Sequence, residues 1–263
     1  MKQISFLIKY LNYRFSFKTA HGIHSPFVFE LYNEVICKKG GYYSFEKIEQ
    51  LRKKLLASLR EIEVTDLGTG RSGKRTIAAI AERSAKSKKY CELLFRIAYH
   101  FKPSNILELG TSLGISTAYL ASACPTAKVV TIEGCPNTAN EAKNNFEALK
   151  LNNIESVTGN FDAVLPAVLC LLLPIAIGTN CLLVFIDGNH KKEPTLKYFN
   201  HCLEFTNNDS LFIFDDIHWS EEMEEAWEEI KKHPKVTVTI DLFFIGLVFF
   251  RKEQAKEDFI LRF

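Results

Sequence analysis

The residues with the types and spacing to do chemistry in this 263-residue chain stand in two groups, Glu108 to Glu133 and Asp187 to Asp216. In the first, Ile106, Leu107 and Leu109 make a short apolar run of the kind that fills a buried parallel strand. It breaks at Gly110 and Gly114, which let the backbone pass close to a ligand before a helix opens with Ser116 or Thr117 as its cap. A second run, VVTIE, ends in Glu133, 23 positions after Gly110, where a carboxylate could accept from both hydroxyls of a ribose. Together they read as a nucleotide site. In the second group, FIDGNH puts Asp187 and His190 behind one apolar run, and IFDD puts Asp215 and Asp216 behind the next, 28 positions from Asp187 to Asp215. Strands lying side by side in a doubly wound sheet would bring these three carboxylates to one crevice. Without a cation their repulsion would raise at least one pKa; with Mg²⁺ or a similar hard ion they become oxygen ligands.

Spacing separates two nucleotide cofactors. A dinucleotide fingerprint requires G-x-G-x-x-G, and Ser112 stands at the middle glycine. The pattern present, Glu108-x-Gly110-x-x-x-Gly114 with Glu133 at the matching acidic position, resembles motif I of the class I S-adenosylmethionine-dependent methyltransferases. That resemblance implies S-adenosyl-L-methionine as cofactor. Glu108 and the turn through Gly110, Thr111, Ser112, Gly114 and Ser116 would hold its methionine part, Glu133 its ribose, and Asn160 with Phe161 its adenine. A plain turn is the alternative for the last two. FIDGNH followed by IFDD resembles the Mg²⁺-dependent O-methyltransferases that act on sugars and catechol-like acceptors. The likeness implies Asp187, Asp215 and Asp216 as metal ligands, Asp187 and His190 as catalytic residues, and a small hydroxyl compound as acceptor. One departure bears on the base: the sugar-methylating relatives show D-G-D-H, and Asn189 at the third position cannot take a proton. His190 is then the candidate base, since histidine is the side chain suited to proton transfer around neutral pH, with Lys191 and His218 behind it.

These residues need elements to position them. From Asn105 onward short apolar runs alternate with amphipathic stretches, which predicts an α/β doubly wound, Rossmann-like sheet. Five parallel strands are expected near 105–109, 128–132, 154–157, 182–186 and 210–214, with helices near 115–123, 137–150, 193–205 and 220–232. Ser220 is a suitable N-cap for the last, whose first turn is acidic and whose end carries Lys231 and Lys232, as the helix dipole favours. After Pro234, VTVTIDLFF and GLVFFRK predict a terminal antiparallel hairpin. Residues 1–87 read as a basic, helical extension, a lid or substrate cap, ahead of a donor-binding domain over 88–263. Helices are expected near 2–15, 25–37, 44–60, 74–86 and 88–101.

Charge and composition supply the rivals. Residues 1–102 hold 20 Lys and Arg against 9 Asp and Glu, whereas 103–263 hold 13 against 22. The basic first third could attract a phosphate, a nucleic acid or an acidic membrane face, so RNA is the alternative acceptor; opposite charges facing each other within one chain is the plainer account. Gly68 to Lys74 follows most of a phosphate-loop pattern, an alternative NTPase site, but Arg75 replaces the hydroxyl that should hold Mg²⁺. HGIHSPF (21–27) places His21 and His24 three apart, as metal or substrate contacts or as a turn before a helix starting near Ser25. Seven cysteines without a C-x-x-C pair fit reduced thiols in a cytoplasmic protein. MKQISFLIKYLNYRF lacks the marks of a secretory signal, and AVLPAVLCLLLPIAI (163–177) is broken by two prolines and too short to span a bilayer. A homodimer is an allowed assembly.

Overall fold

The computed structural model describes residues 2–65, 70, 72–172 and 181–263, with the backbone alone for residues 2–5, 21 and 171. Helix α1 (Lys2–Ser16) and helix α2 (Pro26–Leu31), which runs on into a π-helical turn over Tyr32–Ile36, precede α3 (Tyr43–Leu56). An antiparallel hairpin, β1 (Glu61–Val64) and β2 (Gly73–Thr76), leads into α4 (Ile77–Ser84) and α5 (Lys88–Phe101). Strands and helices then alternate: β3 (Asn105–Leu109), α6 (Ile115–Ala123), β4 (Lys128–Glu133), α7 (Pro136–Leu149), β5 (Ile154–Thr158), α8 (Phe161–Leu172), β6 (Leu182–Ile186), α9 (Lys192–Leu203), β7 (Leu211–Asp215) and α10 (Glu221–Lys232). Three strands finish the chain, β8 (Val238–Asp241), β9 (Ile245–Phe249) and β10 (Glu257–Ile260). Two compact units divide it, Lys39–Ile175 on one hand and Met1–Lys38 with Ala176–Phe263 on the other.

In the unit Lys39–Ile175, β3 pairs in parallel with β4 and β4 with β5, Leu107 standing opposite Val130 and Thr131 opposite Ser156. Continuous apolar runs form these strands because helices cover both faces of a parallel sheet. The same unit holds the hairpin that the sequence pattern missed. Helices expected over 44–60 and 74–86 stop at Leu56 and start at Ile77, because Glu61 to Val64 and Gly73 to Thr76 pair as strands. Thr76 ends the strand and caps α4, accepting from the Ala79 N–H at 3.1 Å. The phosphate-loop candidate falls partly on residues 66–69 and 71, outside the described residues. Lys74 and Arg75 lie within β2 and not at the head of a helix, where a phosphate-loop lysine would stand. Of the apolar run 163–177, residues up to Leu172 belong to α8 and the rest lies outside the described residues.

In the other unit β6 and β7 are parallel, β9 runs antiparallel to β7, β8 antiparallel to β9, and β10 parallel to β8. The terminal hairpin is therefore β8–β9, but β10 and not the hairpin takes the edge. Lys18 closes on that edge: its N–H donates to the Ile260 carbonyl (2.8 Å), and its carbonyl accepts from the Arg262 N–H (3.3 Å). Every residue of β6 and β7 is buried. Ser220 caps α10 as expected, accepting from the Met223 N–H at 3.2 Å. All seven cysteines are free thiols, with Cys91, Cys124, Cys135, Cys181 and Cys202 buried and Cys37 and Cys170 exposed. Among the described residues, no helix is long and apolar enough to cross a membrane.

Candidate active site

The turn after β3 is built by backbone conformations that few residues tolerate. Gly110 and Gly114 adopt φ of 106° and 80°, and Ser112 adopts 47°. A Cβ at Gly114 would run into the ring of Phe146 on α7, so any other residue here forces that ring to shift. Gly114 is also the N-cap of α6, which leaves Ser116 and Thr117 inside the helix and not at its cap. Thr117 instead donates its hydroxyl to Glu108, joined by Thr131 at 2.7 Å, and the Thr111 and Thr131 hydroxyls meet at 2.6 Å. Glu108 is fully buried. Burial pushes its carboxyl up to about 7, outweighing the hydroxyls that stabilise the ionised form. Its position makes Glu108 the brace of the turn.

The sequence reading gave the loop amides to a ligand; the structure uses four of them internally. Gly110 and Thr111 N–H donate to the Ile132 carbonyl (3.0 and 3.3 Å), Gly114 N–H donates to the Thr111 carbonyl (2.8 Å), and Ser112 N–H to Glu133 Oε2 (2.8 Å). Glu133 Oε1 accepts from the Cys135 N–H at 2.9 Å. Two backbone donors thus fix the plane of the Glu133 carboxylate at the end of β4. At the end of β5, Gly159 has φ 158°, and Asn160 Oδ1 accepts from the Asp162 N–H at 2.9 Å, starting α8. That is the turn role foreseen for Asn160; its exposed amide group and the half-buried Phe161 follow Glu133's neighbour strand.

Sequence reasoning missed the residues that hold this turn from outside. Ser84, at the end of α4, brings its hydroxyl to 2.5 Å from that of Ser112. Asn145 on α7 donates to the Leu113 carbonyl at 2.9 Å. Asn137 donates to the Glu63 carbonyl (2.8 Å) and the Thr65 N–H reaches Cys135 Sγ (3.3 Å), tying the β1–β2 hairpin to the turn after Glu133. Separations of 28 to 74 residues leave no local pattern from which these contacts could be read.

In the other unit, Asp187, His190 and Asp215 each offer a ligand atom within 4.8 Å of the others. Asp187 follows β6, Asp215 ends β7 and is 2% exposed, and His190 Nε2 lies 3.7 Å from Asp187 Oδ1. The chain turns back between Asp187 and His190 through Asn189, at φ 55°, whose amide donates to the Tyr198 hydroxyl at 3.1 Å. Asp216, expected as a third carboxylate ligand, is not part of this group; it sits at φ 54° with its N–H donating to the Phe244 carbonyl at 2.7 Å. His190 takes the third place. Two carboxylates and an imidazole are a ligand set for a divalent ion of the Mg²⁺, Mn²⁺ or Fe²⁺ kind.

His218, the reserve base, is committed elsewhere. Its Nε2 faces Asp241 at 2.7 Å and its Nδ1 faces Glu224 at 3.0 Å, while its ring stacks on Phe243. Burial alone would lower its pKa, and the two carboxylates outweigh burial and raise it. HGIHSPF is structural where it is described. Ser25 caps α2 through the Val28 N–H (3.4 Å) and donates to Gln254 Oε1 (3.2 Å), and Phe27 meets Phe249 edge-on under Arg251. His24 is exposed, and the His21 side chain lies outside the described residues.

With this geometry in place, comparison with known proteins says what the chain is similar to. Residues 107–217 match the sequence family described as a methyltransferase domain, a span that contains every expected donor and metal residue from Glu108 to Asp216. The chain is 29% identical over 136 residues to a catechol O-methyltransferase of Niastella koreensis, covering 51% of this chain and 57% of that protein. It is 30% identical over 142 residues to a catechol O-methyltransferase of Mycobacterium tuberculosis, covering 53% and 60%. The matches therefore span little more than half the length of these curated relatives. Among solved structures, an O-methyltransferase from Bacillus cereus in complex with SAH superposes with a TM-score of 0.54 at 20% identity, over 84% of this chain and 96% of that one. The fold is mixed α/β with a mostly parallel sheet, and it matches that of this Rossmann-like methyltransferase neighbour.

Proposed function

We propose that this protein is an S-adenosylmethionine-dependent O-methyltransferase acting on a small hydroxyl acceptor with the help of a divalent ion. The observation that carries the reading is the coincidence of one methyltransferase-domain match, over 107–217, with two built sites inside it: a strained glycine turn facing a clamped acid, and an acid–imidazole cluster. Glu133 would accept from the ribose hydroxyls of the donor, its carboxylate already oriented by the Ser112 and Cys135 amides. Asn160 and Phe161 would border the adenine, and Glu108 would keep the turn in shape.

The chemistry is one displacement. The acceptor oxygen forms a bond to the methyl carbon as the bond from that carbon to sulfur breaks; the electron pair stays on sulfur, neutralising the sulfonium, and the hydroxyl proton passes to a base, His190 where it is not an ion ligand and otherwise solvent water. In-line approach of the reacting atoms is the main demand on the protein. Asp187, His190 and Asp215 would hold the ion, which when bound supplies positive charge that eases ionisation of a hydroxyl. His190 stands where two roles exclude each other: an imidazole that completes the ligand set cannot also take the acceptor's proton. The roles separate by experiment, since loss of a ligand weakens ion affinity, whereas loss of a base lowers kcat and changes its pH profile with ion affinity intact. Asn189 takes neither role, being turned to Tyr198.

The test is transfer of labelled methyl from S-adenosylmethionine to a panel of catechols and other small hydroxyl compounds. Wild-type protein should transfer, and Asp215→Asn should lose roughly 100-fold or more in rate while still binding donor, a loss at or beyond the upper end for outer-shell partners of a metal site. Equal rates with and without chelator would remove the ion from the account. Methylation of RNA in place of every hydroxyl compound would replace the acceptor.

A further inference from the structure

Helix α1 carries apolar side chains on two sides. Phe6, Tyr10 and Tyr13 pack on the ring of Phe243 at centroid distances of 5.3, 5.0 and 5.3 Å, which fixes one face of the helix within its own unit. Leu7, Ile8, Leu11 and Phe15 point away and are 56%, 52%, 44% and 88% exposed. Their spacing of three, four and seven or eight residues makes one continuous stripe. Large apolar side chains in an unbroken exposed row mark a surface that meets something apolar.

The charges beside the stripe say what kind. No acid occurs from residue 2 through residue 29, where Lys2, Lys9, Arg14 and Lys18 are the cations. Lys9 turns inward to Glu224 at 2.6 Å. Arg14 and Lys18 are exposed at the carboxyl end of α1, next to Phe15, and Arg262 joins them: the Arg14 and Arg262 guanidiniums lie 5.8 and 5.7 Å from the centre of the same Phe17 ring. An apolar stripe flanked by cations suits a helix lying in the plane of a bilayer, its Leu and Phe side chains among the acyl chains and its Arg and Lys among anionic headgroups. The same stripe of a second copy would bring the same cations and, from residues 2–29, no acids to meet them.

We propose that α1 docks this protein on an anionic lipid surface through Leu7, Ile8, Leu11 and Phe15, with Arg14, Lys18 and Arg262 on the headgroups. The proposal is independent of the methyl-transfer reading and holds or fails without it. The experiment is sedimentation of the full chain with vesicles of phosphatidylcholine alone or mixed with phosphatidylglycerol, at low and high salt. Binding should require phosphatidylglycerol and weaken with salt. Arg14→Gln and Lys18→Gln should each weaken it about five-fold. Leu11→Ser with Phe15→Ser should abolish it while circular dichroism shows the fold retained. Absence of binding to anionic vesicles would overturn the proposal. So would equal binding to neutral vesicles, or a dimer seen by light scattering that the Leu11/Phe15 double variant turns into monomer while vesicle binding stays unchanged.

Discussion

Glu108 shows how far a single residue can be read ahead of its surroundings. Its place on a strand before a glycine turn marked it as part of the site, yet only the structure shows it fully buried under the hydroxyls of Thr117 and Thr131. Burial raises its carboxyl from 4.5 to about 7. Between those values the folded protein keeps a proton that the unfolded chain has released, so this residue's contribution to stability is fully present below about pH 4.5, falls as pH rises to about 7, and is level above. Glu108→Gln keeps the shape without the titration. Over that interval its stability should rise relative to wild type by about 3 kcal/mol, at 1.4 kcal/mol per pH unit. Urea midpoints measured across the pH range check this, and parallel curves for the two proteins would refute it. At the same scale the places of Asp187, Asp215 and Glu133 at strand ends were legible because each closes an apolar run. Ser84 and Asn145 were not, because a contact made across dozens of residues has no spacing to betray it.

Elements were legible where packing writes a period and illegible where it does not. β3, β6 and β7 are near-continuous apolar runs because both of their faces are covered, and α10 announces itself with a Ser220 cap and charges matched to its dipole. The β1–β2 hairpin escaped because EIEV and GKRT are too polar and too short to outweigh the helical pattern on either side. β10 escaped for the same reason: of EDFI only Phe259 is buried. Ser220→Ala should cost about 1 kcal/mol in a thermal melt, the usual worth of such a cap. Gly114→Ala should cost more, about 2 kcal/mol, since it forces a side chain onto φ 80° and into the Phe146 ring. An unchanged melting temperature for Gly114→Ala would mean that the turn has slack, and the close approach drawn here would be wrong.

At the level of the whole molecule, the α/β class and the order of strands and helices from Asn105 follow from the sequence, because alternation of apolar runs with amphipathic stretches leaves few topologies open. The grouping of the basic first third does not. Residues 1–38 cluster with Ala176–Phe263 and residues 39–87 with β3 to β5, a partition set by tertiary packing such as Phe6, Tyr10 and Tyr13 on Phe243. The methyltransferase account rests on Glu133 and the turn before it as the place where the donor is held. Calorimetric titration of S-adenosylmethionine into wild-type protein and Glu133→Ala tests this most directly. The account predicts binding by wild type and a loss of about 2 kcal/mol in the variant, roughly 30-fold in Kd, for the hydrogen bonds to ribose. Equal affinity in both proteins, or no binding by a folded wild type, would contradict it.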